Sequence, residues 1–129
     1  MKTILHANQA PAAIGPYSQG IDLGDLVFTS GQIPIHPISG SIADDIQTQT
    51  RQSLDNVKAV ISSAGLSIKD IVKMTLFVKD LNEFDTVNQV YGAFFDEHQV
   101  EHYPARSCVE VTRLPKDAAI EIEAIAVRR

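Results

Sequence analysis

The sequence predicts an α+β fold in which a mixed sheet carries two helices on one face. Three observations predict it: apolar residues recur at period two near both ends and once in the middle, and two stretches of helical periodicity separate these runs. The third is the order β-β-α-β-α-β-β, in which helices alternate with strands around a single layer of sheet.

From Tyr17 to Ile35 the apolar residues Ile21, Leu23, Leu26, Val27 and Phe28 flank the turn-forming pair Gly24-Asp25, which predicts a hairpin. Pro34 and Pro37 cannot donate to a ladder, and Ser39-Gly40 adds a turn signal, so a loop follows. Over Asp44–Ala64 the residues Ile46, Leu54, Val57, Val60, Ile61 and Ala64 recur at helical spacing, and Gly65 supplies a left-handed residue after the end. Ile71–Lys79 reads as a strand with Val72, Met74, Leu76 and Val78 on one face. Asn82 is the expected cap of a second helix, whose stripe is Phe84, Val87, Tyr91, Phe94, Phe95 and His98. Ala105–Val111 and Ala118–Val127 alternate again across a polar, proline-containing connection, Thr112–Asp117, and give two closing strands.

Val72, Met74 and the series Ile120, Ile122, Ala124 and Ala126 provide more apolar strand positions than two helices cover. The second face of the sheet is therefore expected to associate with further copies. No repeat, low-complexity tract or linker interrupts the chain, so residues 1–129 are read as one domain with a 44% hydrophobic composition.

The single cysteine, Cys108, cannot form an internal disulfide, and Met1–His6 lacks the apolar core of a signal peptide; both point to the cytoplasm. No run approaches the roughly 20 apolar residues that span a bilayer. Eleven Lys and Arg against sixteen Asp and Glu give a formal net charge of −5, the wrong sign for phosphate backbones. A local basic spot among Arg106, Arg113, Lys116, Arg128 and Arg129 is the one exception.

Most metal-ligand and nucleotide-binding motifs are missing: there is no Cys-x-x-Cys, phosphate loop or Gly-x-Gly-x-x-Gly. His6, His36, His98 and His102 are scattered, and no histidine neighbours Cys108 in sequence to activate it, so an inert thiol is expected. Arg106, on a predicted strand, offers a planar fork of donors suited to a carboxylate, and equally suits a surface ion pair. Glu121 in Ile120-Glu121-Ile122-Glu123 could be a base or simply the polar face of a strand.

Long motifs decide further. Ala10-Pro11-Ala12-Ala13-Ile14-Gly15-Pro16-Tyr17-Ser18-Gln19-Gly20, Thr29-Ser30-Gly31-Gln32-Ile33-Pro34, Pro104-Ala105-Arg106-Ser107-Cys108-Val109-Glu110-Val111 and Leu114-Pro115-Lys116-Asp117, followed by Ile120–Val127, resemble the RidA/YjgF family of reactive-intermediate deaminases along essentially the whole chain. The resemblance implies a chorismate-mutase-like fold assembled as a homotrimer, with three sites in the clefts between subunits. It implies that Arg106 binds the substrate carboxylate with help from the backbone N–H of Cys108, and that Glu121 orients or activates water. Tyr17 and Ser30 complete the pocket, and Gly31 and Asn88 line it. Ser18 stands where the family pattern leads one to expect valine.

The implied reaction is hydrolysis of 2-imino or enamino acids, such as 2-iminobutanoate and 2-iminopropanoate, to 2-keto acids and ammonia. It would need neither cofactor nor metal, and would limit damage to enzymes that use pyridoxal phosphate. A non-catalytic sensor of short 2-keto or carboxylic acids would use the same arginine, but a carboxylate beside an anionic ligand suits water activation better than binding. Ribonuclease activity, a label some family members carry, fits poorly with the net charge, and a holdase would need apolar surface that a trimer hides.

Overall fold

The computed structural model describes residues 2–129. Six strands, β1 (Thr3–Leu5), β2 (Gly20–Asp22), β3 (Leu26–Thr29), β4 (Ile71–Val78), β5 (Ala105–Glu110) and β6 (Ile120–Val127), form one sheet in the order β1-β2-β3-β6-β4-β5. Two helices, α1 (Ile46–Ser63) and α2 (Phe84–Glu97), are the crossovers. β4 and β5 pair in parallel and every other pairing is antiparallel, so the sheet is mixed as expected. The two closing strands do not pair with each other: β6 inserts between β3 and β4, and β5 becomes the edge. Among the described residues no helix is long and apolar enough to cross a membrane.

Local chemistry sets the element ends. Gly24 turns the β2–β3 hairpin at φ 100, and Gly65 leaves α1 at φ 78, both in the left-handed region that glycine enters without penalty. The Asp45 carboxylate caps α1 by accepting from Thr48 N at 2.8 Å. The expected cap at Asn82 is not found: Asn82 lies inside a short 3-10 turn, Leu81–Glu83, capped by Asp80, and α2 starts from Glu83 without a side-chain cap. The extra turn moves the start of the helix past Asn82. β1 was not legible in the sequence, since three residues are too short to establish an alternation.

Strand alternation points Met74, Leu76 and Val78 of β4 and Ile120, Ile122, Ala124 and Ala126 of β6 to the helix side, where they pack with Val57, Val60, Ile61, Phe94 and Phe95. This corrects the sequence reading: the apolar series assigned to the free face is the floor of the core. Val72 leaves the predicted face because the β4–β6 register shifts between Ile71 and Lys73. The free face is nonetheless apolar through other residues. Ile4, Ile21, Phe28 and Ile125 stand in register across β1, β2, β3 and β6 and form one apolar row. Ile4 and Phe28 are 41% and 36% exposed, and Val109 on the β5 edge is 44% exposed.

Buried polar side chains fix the loops that matter below. Asn56, fully buried in α1, donates to Ile33 O at 3.1 Å and Ile35 O at 3.0 Å, pinning the proline-containing loop. Gln19 accepts from Ala7 N at 2.7 Å and donates to Pro11 O at 2.8 Å, which ties the N-terminal segment to the start of β2.

Candidate active site

The parallel register sets Arg106 opposite Met74 and Cys108 opposite Leu76. Because Met74 and Leu76 face the helices, so do Arg106 and Cys108. Above them, Phe84, Asn88 and Tyr91 occupy positions i, i+4 and i+7 of α2 and share one face. Arg106 Nη1 donates to Asn88 Oδ1 at 2.8 Å, while the guanidinium carbon lies 4.9 Å from the Tyr91 ring centre and 5.4 Å from that of Phe84. The bland expectation of a surface ion pair is not met: no described acidic residue pairs with Arg106. Cys108 is half-buried, and burial pushes its thiol above the ordinary value, with the Arg106 charge opposing as the lesser effect. A protonated thiol in this setting is a poor nucleophile.

A second group forms around Glu121, which pairs with Phe77 and so projects from the opposite face of the sheet. Burial, and then the neighbouring Glu123, raise the Glu121 carboxyl above its ordinary value. Gln32 exchanges backbone hydrogen bonds with Ile122, N to O at 2.7 Å and O from N at 3.1 Å, and this holds Gly31 against Glu121. A Cβ at position 31 would run into the Glu121 carboxylate, so the glycine leaves the space in which that carboxylate lies. Ser30 donates from N to Gln19 O at 2.9 Å and from Oγ to Ser18 O, which joins it to the Tyr17 segment. The exposed Tyr17 hydroxyl accepts from Ile14 N at 3.2 Å. The crevice between Ile14, Tyr17, Gly31 and Gln32 measures about 20 Å³, room for roughly one water.

The structure thus brings Arg106, Asn88 and Cys108 together on one face, and Tyr17, Ser30, Gly31 and Glu121 together on the other. It does not bring the two groups together within one chain. Arg106 and Glu121 are separated by two inter-strand steps and about three residues of register, roughly 10 Å in each direction, with the sheet between them. Sequence periodicity assigns Phe84 and Tyr91 to the packing stripe of α2; their spacing around Asn88 is the available signal for a second role. A cavity of about 740 Å³ lies between α1 and the segments around His6 and His36 and includes none of these residues.

A family described as endoribonuclease L-PSP matches residues 7–128. The chain is 66% identical over 128 residues to a 2-iminobutanoate/2-iminopropanoate deaminase of Salmonella typhimurium strain LT2, covering 99% of this chain and 98% of the relative. It is 65% identical, with the same coverage, to the protein of that name from Escherichia coli K12. Among solved structures, E. coli TdcF with bound serine superposes with a TM-score of 0.97 at 61% identity, covering 98% of this chain and 99% of that one.

Proposed function

Since the chain belongs to the RidA/YjgF family, we propose that it is a hydrolase that deaminates 2-imino and enamino acids, 2-iminobutanoate and 2-iminopropanoate among them, to 2-keto acids and ammonia. The observation that carries the catalytic reading is Glu121: a half-buried carboxylate with a raised pKa, seated against a glycine that leaves room for it and engaged in no ion pair among the described residues. A pure binder of organic acids would gain nothing from such a group beside its anionic ligand.

In this reading the active protein is a homotrimer with three sites between subunits, Arg106 of one copy meeting Glu121 of the next. Two observations support it: the two groups project from opposite faces of the sheet, and the free face carries the apolar row Ile4, Ile21, Phe28 and Ile125. Arg106 and the backbone N–H of Cys108 hold the substrate carboxylate. Glu121 takes a proton from water as its oxygen bonds to C2 of the protonated imine, giving a carbinolamine. The proton then passes from Glu121 to the amino nitrogen, the C–N bond breaks and ammonia leaves as the hydroxyl returns its proton to Glu121 and the C2 carbonyl forms. Tyr17 and Ser30 close the pocket, and Gly31 and Asn88 line it. Positioning and one base suffice for an electrophile this reactive, so the reading calls for no metal or cofactor.

Its place is the cytoplasm, beside the dehydratases that release the short-lived imine, and its partners are small imino and keto acids and its own copies. Nucleic acid is not among them in this reading: the net charge is −5, and two of the five cations of the last quarter are engaged, Arg113 with Asp117 at 2.8 Å and Arg128 with Asp22 at 2.9 Å. The test is to generate 2-iminobutanoate with a threonine dehydratase and follow 2-ketobutanoate formation. Faster imine loss with the protein supports the enzyme, and an unchanged rate with tight 2-ketobutanoate binding supports the sensor.

A further inference from the structure

We propose that Phe84 and Tyr91 are positioning residues which, with Asn88, hold the Arg106 guanidinium ready for the substrate carboxylate; the inference rests on the deaminase reading above. An arginine side chain is long and loses much rotamer freedom when it is fixed, so an unsupported guanidinium charges that loss against ligand binding. Here three side chains of one helix face supply the support before any ligand arrives. Asn88 Oδ1 takes one of the five N–H donors at 2.8 Å, and the rings of Tyr91 and Phe84 lie 4.9 Å and 5.4 Å from the guanidinium carbon.

The chemistry of the three partners is informative because all are uncharged. A carboxylate in place of Asn88 would hold the fork more strongly, but would also neutralise the charge that an anionic substrate needs. Two ring faces and an amide oxygen restrain the guanidinium and leave most of its donors and its full charge available. Tyr91 contributes as a ring: its buried hydroxyl makes no hydrogen bond among the described residues, and burial pushes its pKa up to about 12, so it stays neutral. Phe84 is only half-buried, so its replacement spares the core.

The experiment compares KM and kcat for 2-iminobutanoate, and the dissociation constant of 2-ketobutanoate by calorimetry, in Phe84→Leu, Phe84→Tyr, Arg106→Lys and the double variant Phe84→Leu/Arg106→Lys. Loss of one supporting ring raises KM and the dissociation constant about three- to tenfold, with kcat nearly constant, and Phe84→Tyr restores both. In the Arg106→Lys background Phe84→Leu adds nothing, because the group it positions is gone. Tyr91→Leu reproduces the effect and Tyr91→Phe reverses it, which separates the ring from the hydroxyl. An unchanged KM in Phe84→Leu, or an equal rise in the Arg106→Lys background, overturns the positioning role. An unchanged KM in Arg106→Lys overturns carboxylate capture itself, so the two failures are distinguishable.

Discussion

Replacing Gly31 by alanine tests the Glu121 assignment most directly, because the perturbation is one methyl group aimed at one carboxylate. Gly31 does not have a positive φ, so alanine can adopt its backbone conformation, and any effect arises from contact. The new Cβ would overlap Oε2 and lie 2.7 Å from Cδ and 3.0 Å from Cγ of Glu121. To reach ordinary van der Waals separation the carboxylate must withdraw by about 1 Å. A glutamate can do this by turning about its side-chain torsions, so the cost in stability stays near 1 kcal/mol, the scale of one strained rotamer. A base displaced by this distance from its water costs about a hundredfold in rate. The assay is kcat for 2-iminobutanoate hydrolysis alongside thermal unfolding and the mass of the assembly. A correctly assembled Gly31→Ala protein with near-parental kcat would refute the placement of Glu121 as the base.

Arg106→Lys keeps the charge but loses the fork, and one charge-assisted hydrogen bond of roughly 1.5–3 kcal/mol corresponds to about a ten- to hundredfold fall in kcat/KM; steady-state kinetics that match the parent would return Arg106 to a structural role. Glu121→Gln lowers kcat far more than the affinity for 2-ketobutanoate, and a change in affinity alone would mark Glu121 as a binding group. Because the Glu121 carboxyl is raised, chiefly by burial, the acid limb of kcat/KM lies above that of an ordinary glutamate, and Glu123→Gln moves it to lower pH; a limb that ignores Glu123 would contradict the assignment. The same shift has a sign for stability: a raised carboxyl favours the fold below its unfolded pKa and loses that contribution as pH rises through the folded pKa, so Glu121→Gln is expected to be the more stable protein at neutral pH by thermal unfolding. Light scattering at micromolar concentration should give three times the mass of one chain, and a stable monomer would remove the intersubunit site.

Much of the fold was legible because local rules and global packing agree. The helix over residues 46–63 follows from Leu54, Val57, Val60 and Ile61 and ends before the glycine that the pattern marks, and the strands around residues 71–78 and 120–127 follow from strict alternation. The errors fall where alternation alone cannot choose. Period two says that Ile120, Ile122, Ala124 and Ala126 share a face, but not that this face lies beneath the helices, and it cannot register the shift that displaces Val72. Asn82 had the right chemistry for a cap, and an intervening 3-10 turn put it in the wrong place.

By itself the sequence determined the class of the fold, the order of its elements from β2 onward, and, through its long motifs, the family and the seven residues expected at the site. Only the tertiary structure decided how those residues are grouped. Whether Arg106 and Glu121 share a face depends on the register of β5 and β6 against β4, which sets Arg106 opposite Met74 and Glu121 opposite Phe77, and these registers are set by packing at long range, invisible to any local periodicity. The same pairing turned Gly31 from a motif residue into the space that Glu121 occupies. It also turned Phe84 and Tyr91 from packing residues into the walls around a guanidinium, because a parallel β5 places Arg106 beneath one face of α2.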